Sequence, residues 1–240
     1  MNKSHRSTNS DESAHRMFVG RPPAWSLIRP KSVLQHVWDF IGAPLRLALL
    51  PDHVNERLHL TSLRAERLAV VLPELRGRCL DIGAGDNMLI RLYGECKAGG
   101  PEAALADQSV GLDVMDWGGG CIIVPDCRTL PFPDSSFDTV SFVACINHIP
   151  ERDEALREAI RVLRPGGRVL ITMIGRLIGT IGHAIWWYSE DKHRDVHHDE
   201  LMGMNPREIE YLLRKAGFAD IALKRFVYGL NCLYIAHKPN

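Results

Sequence analysis

Cys79-Leu80-Asp81-Ile82-Gly83-Ala84-Gly85 decides how this chain of 240 residues folds. The first four residues read as a strand, and a helix is expected from Asn87 to about Cys96. Glycines between a strand and a helix let the backbone turn sharply and approach a ligand closely. In an open α/β sheet, ligands lie outside the carboxyl ends of the strands. A Gly-x-Gly pair by itself also fits an ordinary βα turn. A dinucleotide fingerprint demands a third glycine, and counted from Gly83 that place is held by Met88. A loop of the form Asp-x-Gly-x-Gly is the competing reading.

Outward from this loop, strand and helix patterns alternate. Strands are expected at 110–114, 121–124, 137–144 and 168–173, with a helix at 152–163 and Pro165-Gly166-Gly167 as the turn into the fifth strand. Upstream, Leu63, Leu68, Val71, Leu72 and Leu75 mark one helix face, capped by Thr61 or Ser62 and ended by Gly77. Downstream, Asn205-Pro206-Arg207-Glu208 opens a helix that ends at Gly217. Asn is a good N-cap, Pro suits the first helical position, and a Glu three residues after the cap completes a box-like pattern. Two β runs, 218–226 and 231–236, close the chain. This alternation implies an α/β fold with a parallel sheet covered by helices on both faces. Apolar runs such as Val169-Leu170-Ile171 suit strands buried on both sides.

Four stretches, in this order, carry a resemblance. They are Asp81–Gly85; Gly111-Leu112-Asp113-Val114; the run from Pro125-Asp126-Cys127 to Phe137-Asp138; and Val162 to Leu170 with its Arg164-Pro165-Gly166-Gly167 turn. Together they resemble the motifs of class I S-adenosylmethionine-dependent methyltransferases, strongly over residues 60–175 and more loosely over 205–238. The resemblance implies a Rossmann-like, doubly wound, seven-stranded sheet, mostly parallel, with an antiparallel C-terminal hairpin strand. It implies S-adenosylmethionine as cofactor. The methyltransferase domain would span 61–240, with a cap insertion at about 174–204. A disordered tail, 1–16, and an N-terminal helical cap, 17–60, would precede it.

The resemblance also assigns a cofactor cradle to Asp81, Gly83, Ala84, Gly85 and Asn87. The family often has a third glycine where Asn87 stands, and Asn tolerates left-handed backbone better than most residues. Asp113, followed by Val114, would accept hydrogen bonds from both ribose hydroxyls, as an ionised carboxylate can; Asp116 is its rival. The spacing from Asp81 to Asp113 is longer than usual, and Gly99-Gly100-Pro101-Glu102-Ala103 is the insertion responsible. Asp126 would accept from the adenine amino group, with the Cys127 N–H facing a ring nitrogen. Cys145 completes the set, and Asp138 reads as structural.

The acceptor is less legible. The end of the fourth strand, Ala144-Cys145-Ile146-Asn147-His148-Ile149-Pro150, lacks the Asn/Asp-Pro-Pro-aromatic sequence of enzymes that methylate amino groups of DNA bases. Lys plus Arg and Asp plus Glu both number 29, so the basic footprint of a nucleic-acid binder is missing from the totals. A hydroxyl acceptor needs a base. His148 is one candidate, and His183, Tyr188 and His198 are others in a segment whose Trp186-Trp187-Tyr188 suggests a substrate cap. His193, His197, His198 and Asp199 match no strong metal-ligand spacing, so no metal is expected. The expected reaction is methyl transfer to a small or lipid-linked metabolite, with oxygen favoured as acceptor. The alternatives are a nicotinamide-dependent oxidoreductase and a non-catalytic S-adenosylmethionine-binding regulator. The six cysteines show no CxxC spacing and the first residues no signal sequence, which points to the cytoplasm. The apolar run from Val33 to Leu50 and the Trp-rich segment suit a membrane surface, but the chain-wide lack of surplus Lys and Arg ranks peripheral membrane contact low.

Overall fold

The computed structural model describes residues 21–176, 201 and 203–240. These fall into two compact units, 21–69 and 70–240 in the described residues. The expected tail at 1–16, most of the expected cap insertion, and His183, Tyr188 and His198 lie outside the described residues.

The first unit is helical: α1 (Ala24–Leu27), α2 (Val33–Ile41), a π-helical turn (Leu45–Leu49), α3 (Asp52–Arg57) and the start of α4 (Leu63–Val71). Ser32 caps α2 by accepting from the Gln35 N–H at 3.2 Å, and the Ser62 hydroxyl accepts from the Ala65 N–H at 3.1 Å in the first turn of α4. Pro73 lacks an N–H, and the chain leaves α4 through a 3-10 turn (Leu72–Glu74) before it reaches Gly77. The interior of this unit is ionic. Asp39 and Arg46 are 1% and 2% exposed. The Asp39 carboxylate accepts from the Lys31 ammonium, the Thr61 N–H and the Thr61 hydroxyl. Glu66 accepts from Arg29, Lys31 and Arg46. Burial by itself would raise Asp39, but the hydrogen bonds from Lys31 and Thr61 outweigh it and hold the carboxyl below its usual range.

The second unit is built on one sheet of seven strands: β1 (Cys79–Ile82), β2 (Val110–Asp113), β3 (Ile122–Ile123), β4 (Phe137–Val143), β5 (Leu163–Ile174), β6 (Ala219–Phe226) and β7 (Asn231–His237). Helices α5 (Met88–Lys97), α6 (Ala103–Ala106), α7 (Arg152–Val162) and α8 (Pro206–Ala216) connect them. The order is β3-β2-β1-β4-β5-β7-β6, with β7 antiparallel to both its neighbours and the remaining pairs parallel. This is the expected doubly wound sheet. Its order reverses between β1 and β4, which is the topological switch point where ligands of such sheets bind.

The two faces of the sheet differ in chemistry. Leu80, Ile82, Val140, Phe142, Val169 and Ile171 share one face and join the core with Leu156, Ala159, Ile209 and Leu213 of α7 and α8. The opposite face carries Asp81, Thr139, Ser141 and Thr172; the register pairs Asp81 with Ser141, and Thr172 with Val143. The strands are buried on both faces as expected, and the second face mixes these polar groups with apolar ones such as Leu170, Leu233 and Ile235.

Three boundaries differ from the sequence pattern. β2 stops at Asp113, because the Asp113 carboxylate accepts from the Met115 N–H at 3.0 Å and turns the chain; Val114 is exposed. β3 keeps only two residues, both exposed at the sheet edge. The Pro165-Gly166-Gly167 turn proves to be a bulge within β5. There Phe137 pairs with Leu163 and Thr139 with Arg168, so the extra residues loop out, and the Gly166 N–H donates to the Lys238 carbonyl. The box at Asn205 and Glu208 forms as expected, and Gly217 ends α8 at φ +100°.

Candidate functional site

The first loop owes its path to glycine. Gly83 has φ +69°, and a Cβ there would stand 2.6 Å from Cβ and 2.8 Å from Sγ of Cys145. The Gly83 and Ala84 N–H groups both donate to the Leu112 carbonyl, at 2.8 and 3.1 Å. Gly85 is also left-handed, at φ +56°. Asn87, where a third glycine would stand, adopts φ +60° and ψ 24° and opens α5. Gly111 on β2 leaves room for this loop, since a Cβ there would lie 2.2 Å from Asn87 Oδ1. Gly119 does the same from the other side, where a Cβ would overlap the Asp86 backbone at 2.2 Å.

Four carboxylates surround the loop. Asp81, on β1, is buried and accepts from the Ser141 hydroxyl at 2.6 Å. Burial pushes its pKa up to about 7; the Ser141 hydrogen bond opposes the rise, and the Asp113 charge adds to it. Asp113 Oδ2 accepts from the Gly85 N–H at 2.8 Å, and Oδ1 accepts from the Met115 N–H and the Trp117 indole N–H. Asp113 is thus tied to the Gly loop, whereas its rival Asp116 is exposed and accepts from the Gly118 N–H of its own turn. The combined field is negative. The Cys121 thiol, which donates to the Gly85 carbonyl at 3.3 Å, is pushed up to about 12 by burial and then by Asp113, Asp81, Asp86 and Asp116.

Asp126 is half-buried, and Arg128, two residues on, engages both its oxygens: the backbone N–H on Oδ1 at 2.8 Å and the guanidinium on Oδ2 at 2.7 Å. Those bonds hold its carboxyl below the usual range. Cys127 is buried. Asp138 has a structural part: Oδ2 accepts from the Arg78 N–H at 2.8 Å, and both oxygens accept from Arg164. At the end of β4, Ala144 turns at φ +56° and the Cys145 thiol donates to the Ile82 carbonyl at 2.9 Å.

His148 closes a short 3-10 turn (Ile146–His148) and is half-buried. Its neighbour Asn147 is fixed from both ends: its carbonyl accepts from the Leu201 N–H, and its side-chain amide donates to the Leu201 carbonyl at 2.8 Å. The amide nitrogen so anchored lies 3.0 Å from His148 Nε2. Nε2 is therefore the acceptor, and the ring proton of the neutral imidazole belongs on Nδ1.

Sequence reasoning passed over Ser141, Gly119, Trp117 and Asn147. The signal for Ser141 was the alternation of Thr139 and Ser141 in an otherwise apolar strand. The polar face also continues to Thr172 and, through the pairing of Ile174 with Asn231, to Asn231. Both are buried, and among the described residues the Thr172 hydroxyl and both polar atoms of the Asn231 amide have no hydrogen-bond partner. Such groups are costly unless something meets them.

The chain matches the family described as "Methyltransferase domain" over residues 80–171. It is 32% identical over 201 residues to a ubiquinone/menaquinone biosynthesis C-methyltransferase, UbiE, of Pseudomonas aeruginosa, covering 72% of this chain and 78% of that protein. To the UbiE protein of Bordetella avium it is 35% identical over 121 residues, 47% of this chain and 46% of the relative, so there it spans about half the relative's length. Among solved structures, an S-adenosylmethionine-dependent methyltransferase of Thermotoga maritima superposes with a TM-score of 0.51 at 20% identity, over 85% of this chain and 95% of that one.

Proposed function

From the premise that this chain belongs to the class I S-adenosylmethionine-dependent methyltransferases, we propose that it methylates a ring carbon of a small quinol-type molecule. The observation that carries this reading is the extended similarity to the Pseudomonas aeruginosa C-methyltransferase, which takes in 72% of this chain and 78% of that protein. It replaces the oxygen acceptor favoured on sequence: the relatives' names point to carbon. The nicotinamide alternative falls with family membership, and electrostatics agree. A dinucleotide brings an anionic pyrophosphate to the loop, while Asp113, tied to the Gly85 N–H, and the exposed Asp116 favour a cation.

S-adenosylmethionine is such a cation, and when bound it supplies an electrophilic methyl group on a sulfonium sulfur. The residues present fit it. Gly83 and Gly85 bring backbone close without side chains, and we assign Asp113 to the ribose: three donors already meet its carboxylate among the described residues, so it has room to accept one ribose hydroxyl in place of the two expected from sequence. Ala84, Asn87, Val114, Cys127 and Cys145 line the same loops, and Asp126 would reach an adenine amino group by giving up part of its hold on Arg128.

A quinol carbon is activated by its own ring oxygens and gives up its proton to solvent once it holds the methyl, so the chain's main tasks are to orient the ring and to keep water from competing for the methyl. We assign Thr172 and Asn231 to the ring oxygens, because their unmet donors and acceptors suit a hydroxyl or carbonyl. His148 is not assigned as the base, since its Nε2 is engaged by Asn147. The six free cysteines suit a reducing compartment, and we infer action in the cytoplasm.

The test is transfer of a 13C-labelled methyl to a panel of demethylated quinols, with the product read by carbon NMR. A ring-carbon methyl signal is expected. A methoxy signal would return the acceptor to oxygen, and cofactor binding without transfer to any acceptor would make the protein a regulator.

A further inference from the structure

α2 is amphipathic with its polarity reversed. Gln35 and Asp39 point into the unit, where the Gln35 amide donates to Asp39 Oδ1 at 3.0 Å and to the His59 carbonyl at 2.9 Å, and Asp39 is held by Lys31 and Thr61. Val33, Leu34, Val37 and Ile41 point out and are 79, 82, 51 and 66% exposed. The apolar face extends to Ile28, Leu45 and Leu58, and the Trp38 indole N–H is tied to the Leu58 carbonyl at 3.0 Å. Hydrophobic burial would favour the opposite rotation of the helix. That rotation would draw the Asp39 carboxylate away from Lys31 and Thr61, leaving Lys31 with Glu66 as its remaining counter-charge, and would break the hydrogen bond from Arg46 to the Asp39 carbonyl. The ion cluster therefore locks the apolar face outward.

We propose that this face seats the protein on a lipid leaflet containing anionic headgroups, with α2 lying in the plane of the interface. The neutral charge total of the whole chain conceals a local surplus. Residues 21–69 contain seven cations and four anions; with the buried cluster of Arg29, Lys31, Arg46, Asp39 and Glu66 set aside, Arg21, Arg57, Arg64 and Arg67 still outnumber Asp52 and Glu56 by two. A second copy docking through the same face would set like charge against like, whereas an anionic leaflet complements it. The nine residues of α2 span about 14 Å, and among the described residues no helix is long and apolar enough to cross a membrane. An apolar helical face that lies flat on a unit of net positive charge is the interfacial arrangement. The proposal is independent of the acceptor's identity.

Flotation of the full chain with vesicles tests it. The wild type should float with phosphatidylcholine vesicles that contain phosphatidylglycerol, more weakly with phosphatidylcholine alone, and less as salt rises. The double variant Leu34→Glu, Ile41→Glu should lose at least roughly tenfold in partitioning while melting temperature and S-adenosylhomocysteine binding stay as in wild type. A bimane label on Leu34→Cys should shift to the blue only when vesicles are added. Failure of the wild type to float, floating by the double variant, or a blue-shifted label before vesicles are present would each overturn the proposal. So would a wild-type dimer in light scattering that the double variant dissolves.

Discussion

Asp81 and Ser141 are register partners on the parallel strands β1 and β4, and the Ser141 hydroxyl donates to the buried Asp81 carboxylate at 2.6 Å. The pair sits directly beneath the Gly83–Gly85 loop, on the polar face of the sheet. It links the acid of the first motif to a strand sixty residues on, and it sets the protonation of the site.

The Asp81 pKa of about 7 lies above its ordinary value of 3.8. Between those limits the folded protein keeps a proton that the unfolded chain has released, so this group makes stability fall as pH rises through the window. Asp81→Asn removes the effect. Its thermal stability should exceed that of the wild type above about pH 7, by up to roughly 4 kcal/mol, and the gap should close below about pH 4. Calorimetric melts across that range would read it, and parallel curves for the two proteins would refute it.

Gly83→Ala meets two obstacles, a left-handed backbone and the Cys145 Cβ at 2.6 Å. Stability should drop by about 1–3 kcal/mol, and S-adenosylhomocysteine affinity should fall with it. Adding Cys145→Gly opens the space but leaves the strained φ, so it should recover only part of the loss. Urea melts together with titration calorimetry separate the two components.

Asp113→Ala should weaken cofactor binding by roughly 1.5–3 kcal/mol, the scale of a hydrogen bond to a charged group. Asp116→Ala should leave it nearly unchanged, because Asp116 faces its own turn. The reverse ranking in calorimetry would move the ribose site to Asp116.

Asn231→Leu fills a buried position whose amide has no partner. If the amide awaits an acceptor oxygen, the variant should melt at the same or a higher temperature while KM for the quinol rises several-fold. An unchanged KM would give Asn231 a purely structural part.

Arg46→Met strands Glu66 in the buried cluster of the first unit, with Lys31 and Arg29 left to offset it. Loss of one partner from a buried ionic group costs about 3–5 kcal/mol. Chemical denaturation measures this, and a loss well under 1 kcal/mol would mean that the cluster relaxes around the gap.

Local sequence was enough to place β1, the loop, α7, α8 and the final hairpin to within a residue or two, because periodicity, caps and glycines act over a few neighbours. Asn87 is an instance: its tolerance for φ above zero is a property of the residue, and the loop uses it. Tertiary structure alone decided the rest. The bulge at Pro165–Gly167 depends on strand pairing with the distant C-terminus, through Lys238. The elevated pKa of Asp81 needs Asp113 and a dry interior. The engaged Nε2 of His148 needs Leu201 to orient Asn147. The apolar pattern of α2 announced a helix, but not which face turns inward; Lys31, Arg46, Thr61 and Glu66 settled that, since a buried carboxylate is held by its counter-charges more strongly than a few aliphatic side chains are driven from water.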